Sequence, residues 1–100
     1  MRDHRKHPRK LIELSIAFRI GDGPRVDATC RDISLGGMFI ETPTPAPFNA
    51  TVLVYLTLPG LRQEVVVRST VRWTQRDGMG VQFGVMGALA THALTELLGS

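Results

Sequence analysis

Val26-Asp27-Ala28-Thr29-Cys30-Arg31-Asp32-Ile33-Ser34-Leu35-Gly36-Gly37-Met38-Phe39-Ile40 is the stretch on which the fold turns. Val26, Ala28 and Cys30 alternate with Asp27, Thr29 and Arg31, the period-two pattern of a strand with one buried face. The run passes into Asp32-Ile33-Ser34 and is closed by the Leu35-Gly36-Gly37 corner, after which Met38 to Glu41 resume extended structure. Two strands joined by a polar, glycine-closed corner predict an antiparallel pair.

The same alternation recurs on either side. Upstream, Ile12, Leu14, Ile16, Phe18 and Ile20 are spaced by Glu13, Ser15, Ala17 and Arg19, and Gly21-Asp22-Gly23-Pro24 makes a turn. Downstream, Thr42 to Pro47 carries three prolines and reads as a surface loop, since proline cannot continue a sheet interior. Val52, Val54, Leu56 and Leu58 form the next set, ended by Pro59-Gly60. Val65, Val67, Val71 and Trp73 continue in phase with Ser69 in the gap, which reads Trp73 as a core residue in preference to one that stacks on a base. Asp77-Gly78 turns into a short closing strand, Met79 to Phe83. About six short strands at this spacing predict an all-β domain, a small antiparallel barrel or sandwich rather than an alternating α/β fold.

After Gly84 and Gly87 the period becomes helical. Leu89, Ala93 and Leu97 make one stripe and Ala90, Leu94 and Leu98 lie beside it, giving a C-terminal helix over residues 88–98. Its apolar face is wide for its length, so it packs on the open end of the barrel or on a second protomer, as a homodimer through the helix.

Composition bounds the function classes. The 100 residues suit one domain, with 43% hydrophobic and 21% charged residues, an ordinary globular balance. The formal charge of +3 is not spread evenly: Arg2, Arg5, Lys6, Arg9 and Lys10 stand against Asp3 alone in residues 1–10, and the rest holds seven cations against eight acids. The division is therefore a basic N-terminal arm, residues 1–10, and a barrel with its helix, residues 11–100. A near-neutral body and 6% aromatic residues argue against a barrel that tracks single-stranded nucleic acid, the alternative that the basic arm raises. No run reaches the roughly 18 apolar residues of a membrane span, and the charged N-terminus differs from a signal peptide, so a cytoplasmic protein without membrane insertion is expected. The lone Cys30 excludes an internal disulfide and falls on the apolar phase, as a buried, inert thiol. His4, His7 and His92 lack the spacing of metal ligands, and the scattered Ser, Asp and His form neither a nucleophile elbow nor a carboxylate pair. Neither a metal, a cofactor nor catalysis is expected.

Two segments carry chemistry. Arg5 and Arg9 are separated by three residues, one of them Pro8, which biases His7 away from helix. A guanidinium can fork onto guanine O6 and N7, pair with phosphate, or stack on a base. Asp32 and Ser34 lie two apart on a strand and so share a face, and the following glycines let a ligand approach the main chain. A cationic arm also serves as a solvated tail, and Asp32-x-Ser34 also serves as a turn that caps its own backbone, with Gly36-Gly37 supplying positive φ.

Arg5-Lys6-His7-Pro8-Arg9 matches an RxxxR motif and Asp32 to Gly37 matches [D/N]xSxxG. In this order, and with Gly37-Met38-Phe39-Ile40, the Pro-rich loop, Val71-Arg72-Trp73 and Gly78 to Phe83 downstream, the chain resembles PilZ domains over nearly its whole length. The resemblance implies a six-stranded barrel with a C-terminal helix and non-catalytic binding of cyclic di-GMP. Arg5 and Arg9 would wrap the dinucleotide through its phosphates and guanine faces, while Asp32, Ser34 and Gly37 hold a guanine edge. An effector protein would then read the ordered arm. Relatives without the arginines are non-binding interaction or dimerisation modules, but every motif position is filled here.

Overall fold

The structure, a computed structural model, describes residues 10–57 and 63–99. Its elements are β1 (Lys10–Ile20), β2 (Arg25–Ile33), β3 (Gly37–Glu41), β4 (Thr51–Leu56), β5 (Val65–Gln75), β6 (Gly78–Phe83) and α1 (Ala88–Gly99). The strands close into an antiparallel barrel in the order β1-β2-β3-β6-β5-β4. The expected six-stranded barrel with one C-terminal helix is therefore present. Closure follows from the alternation: each strand has one apolar side, and wrapping all six around a common axis buries those sides together.

Phe18, Cys30, Ile33, Met38, Ile40, Val52, Val54, Val71 and Met79 are wholly enclosed. Cys30 is thus the buried thiol expected, and burial, with the nearby Asp32 charge, pushes its pKa up to about 12. Ala93, Leu94 and Leu97 of α1 pack into the same cluster, so the helix covers the barrel core. The buried helical side is Ala90, Ala93, Leu94 and Leu97, which leaves Leu89 out of the stripe and 74% exposed.

The Pro-rich segment departs from a plain surface loop. Thr42 and Ala46 are buried, the amide of Thr42 donates to the Asp77 carbonyl (2.9 Å), and Ala46 joins the core with its amide 3.3 Å from Met79 Sδ. Thr42 Oγ1 accepts from the Thr44 amide (3.2 Å), so the segment turns on itself before it reaches β4. Trp73 is not a core residue. It lies on the outer face, 39% exposed, for a reason that defines the site.

Candidate functional site

In an uninterrupted strand, side chains two apart share a face and those three apart do not. Cys30 and Ile33 violate this, since both are fully buried. The exception is a bulge: Cys30 pairs with Ile40 and Asp32 with Phe39, so one extra residue of β2 is accommodated and the phase reverses. Asp32, which would otherwise follow Val26, Ala28 and Cys30 inward, turns to the outer face and is half-buried there.

β5 repeats the device. Val71 pairs with Val81 and Trp73 with Gly80, with the irregularity between them. Val71 is fully enclosed and Trp73, two residues on, is outside. The spacing that read Trp73 as core was correct up to Val71 and inverted beyond it.

The two reversed strands flank β3 and β6, and β6 supplies a floor. A Cβ on Gly78 would lie 2.3 Å from Phe39 Cζ, and one on Gly80 would lie 2.1 Å from Trp73 Nε1. Both rings therefore lie directly on the glycine backbone, where any side chain would lift them. They stack on one another with centroids 5.2 Å apart and planes at 19°. Beside them is an open hollow of about 330 Å³ lined by Arg31, Asp32, Phe39, Trp73, Gln75 and Asp77. Arg31 is held by Glu41 (2.5 Å) and Gln75 donates to Asp77 (2.7 Å). The surface combines a flat aromatic face with carboxylate acceptors, a chemistry suited to a planar group that carries N–H donors.

At the end of β2 the corner is built by Ser34. Its amide donates to the Gly37 carbonyl (2.8 Å), and its Oγ accepts from the amides of Gly36 (3.1 Å) and Gly37 (3.2 Å). Ser34 is only 5% exposed, so its hydroxyl is engaged in shaping the turn. Gly37 has no positive φ; it is required by space, because a Cβ there would sit 2.1 Å from the Val81 carbonyl oxygen on β6. Asp32, Ser34 and Gly37 are thus brought together, with Asp32 turned outward and the other two forming the corner beneath it.

Arg5 and Arg9 lie outside the described residues. The register nonetheless ties the arm's attachment to this corner, since Lys10 pairs with Ile33 and Leu11 with Asp32. Sequence reading does not place Phe39, Gln75 or Asp77 in the site, and it assigns Trp73 to the core. The signal available was the odd Cys30-to-Ile33 spacing, together with Gly78-x-Gly80 opposite two aromatic residues. Among the described residues no three His, Cys, Asp or Glu side chains are grouped to hold a metal ion, and no helix is long and apolar enough to cross a membrane.

The family model for the PilZ domain matches residues 3–99. The chain belongs to the PilZ family. Its barrel is similar to the PilZ domain of CeSA from a cellulose-synthesizing bacterium, with a TM-score of 0.72 at 16% identity over 92% of this chain and 95% of that one. It is also similar to PlzA of Borreliella burgdorferi in complex with c-di-GMP (TM-score 0.72, 13% identity, 94% of this chain and 40% of that chain). The K. pneumonia MrkH–c-di-GMP complex is similar to the same degree (TM-score 0.73, 16% identity, 96% of this chain). This PilZ domain spans half or less of those two longer proteins. At such identities the likeness is one of fold. No curated protein matches the chain.

Proposed function

We propose that this PilZ domain is a non-catalytic, intracellular receptor for cyclic di-GMP, with Arg5 and Arg9 closing on the dinucleotide and the Asp32–Ser34–Gly37 corner holding a guanine edge. The observation that carries the reading is the bulge that turns Asp32 outward beside the Phe39–Trp73 pair, next to the point where the chain enters β1. Arg9 is the residue before Lys10 in the sequence, and Lys10 is the strand end paired with Ile33. Two structural neighbours, PlzA and MrkH, were determined with c-di-GMP bound.

The division of labour follows from the chemistry. The Asp32 carboxylate accepts from the N1 and N2 donors of guanine. Ser34, whose hydroxyl holds the corner amides, acts by fixing the backbone rather than by offering a free donor. Gly37 keeps β3 tight on β6. The arm's guanidinium groups neutralise phosphate and stack on the bases, contributing charge-assisted bonds at the cost of ordering the arm. Closure of the arm alters the surface offered to an effector protein, which is how binding is relayed.

Calorimetric titration with cyclic di-GMP tests this, with Trp73 emission as a second readout because it is the chain's single tryptophan. Micromolar or tighter binding is expected, abolished by Arg5→Ala or Arg9→Ala. Asp32→Ala removes a charged acceptor worth about 1.5–3 kcal/mol and weakens binding by roughly ten- to a hundredfold. Absence of heat, or binding indifferent to both arginines, refutes the proposal. A single-stranded oligonucleotide that binds while the cyclic dinucleotide fails to compete would point instead to a nucleic-acid barrel.

A further inference from the structure

The geometry points to a protein-docking surface on the other half of the barrel wall, where β1, β4 and the first half of β5 meet α1, fitted to an acidic segment that also carries an aliphatic side chain. Its apolar part is an open groove of about 440 Å³ between the start of β5 and the start of α1. Val66, Met86 and Leu89 line it, with Val66 53% and Leu89 74% exposed. These are large aliphatic side chains on a domain whose core is otherwise closed, and they are contiguous, since the Gly84 amide donates to the Arg68 carbonyl (2.8 Å) and fixes the segment before α1 alongside β5.

The adjoining part is cationic. Arg68 lies two residues beyond Val66 on the same face of β5 and shares a cross-strand row with Leu53 and Arg19. Arg19, Leu53 and Arg68 line a second hollow of about 250 Å³. Elsewhere on the described surface Arg25 is held by Glu64 and lies over Tyr55 (4.3 Å to the ring centroid), Arg31 by Glu41, and Arg72 by Gln82, while Arg76, in the turn after β5, is also without a hydrogen-bonding or ionic partner but does not line the apolar groove. Arg68 has no hydrogen-bonding or ionic side-chain partner among the described residues, and Arg19 donates to the Gly21 carbonyl (3.1 Å) and has one carboxylate, Asp22 at the edge of the same hollow, 3.8 Å away. An exposed apolar groove flanked by two under-compensated arginines selects a partner by charge complementarity: a carboxylate for Arg68, an aliphatic side chain for the groove. The arrangement faces away from the Asp32–Trp73 hollow and stands whether or not a dinucleotide binds there.

Panning a display library of random peptides, each about twelve residues long, against the whole chain tests the inference without presupposing a sequence. Winners are expected to combine Asp or Glu with Leu, Ile or Phe. Synthesised, such a peptide should bind with an affinity that falls as salt rises and drops by about tenfold or more in Arg68→Glu and in Leu89→Asp. Both side chains are exposed, so both variants should melt like the parent. Several results overturn the proposal: no enrichment, winners devoid of acids, binding unmoved by either variant, or displacement of the peptide by cyclic di-GMP. So would capture of phosphatidylglycerol vesicles in place of peptide, or dimerisation of the chain through this face.

Discussion

The two halves of the barrel wall are made from the same alternating strands and present opposite surfaces. On the side of β2, β3, β6 and the end of β5, bulges push Asp32 and Trp73 outward while Gly78 and Gly80 let aromatic rings settle on bare backbone. On the side of β1, β4 and the start of β5, the register across Arg19, Leu53 and Arg68 runs without a break, and the outward positions carry ordinary side chains. A regular wall takes its character from what its side chains are. An irregular one takes it from where the missing side chains are, so the first half should be far less tolerant of small additions.

The sharpest challenge to that contrast is a single methyl group. Gly37→Ala drives a Cβ against the Val81 carbonyl, a backbone atom that cannot turn aside, and should cost about 3 kcal/mol or more in denaturant unfolding. Gly87→Ala, with nothing within 4 Å, should stay within about 0.5 kcal/mol. Equal costs would mean that the glycines of the irregular wall have no special steric duty.

Ser34→Ala comes next. It leaves the corner amides of Gly36 and Gly37 without their hydroxyl acceptor in a buried turn, a loss of about 2 kcal/mol. Ser34→Ala should also weaken cyclic di-GMP binding, because the corner loosens beneath Asp32. A variant with wild-type stability and lost binding would instead make the hydroxyl a direct ligand contact.

Gly80→Ala is milder, since the atom in the way belongs to a side chain. The indole must tip off β6, costing about 1–2 kcal/mol, and Trp73 emission should shift to the red as the ring enters water. Unchanged emission would show that the ring is not seated on Gly80.

The smallest effect concerns the inner side of the same bulge. Cys30 holds its proton up to about pH 12 in the fold but loses it near its ordinary value of 9.0 when unfolded. Its contribution is therefore complete below pH 9 and declines as the pH rises toward 12, by about 1.4 kcal/mol at roughly pH 10. Comparing the alkaline unfolding of the wild type with that of Cys30→Ala isolates this dependence, which should vanish in the variant.

The strands and their approximate number are legible from alternation, because the apolar phases are punctuated by Gly, Pro and Asp turns; alternation alone allows a sandwich as well as a barrel, and closure is what the family resemblance adds. The corner was legible too: Asp32, Ser34 and Gly37 are residue types with strong local preferences. The aromatic wall was not. A bulge adds a residue without any side-chain signature, and at Val71-Arg72-Trp73 the even spacing disguises the reversal as continuity. Leu89 deceived similarly, since a helix rich in Ala and Leu offers several stripes and only packing chooses between them. Sequence reading offers Gly37 for its φ or for close approach of a ligand, whereas its neighbour across the sheet is what forbids a side chain.

The placement of Cys30 and Trp73 has a practical corollary. The sole sulfhydryl is walled into the core, whereas the sole indole stands on the outside in the same hollow as Asp32. The domain therefore arrives with an intrinsic emitter and no competing attachment point, so an acceptor dye on one cysteine introduced near Arg5 would act as a ruler between arm and barrel.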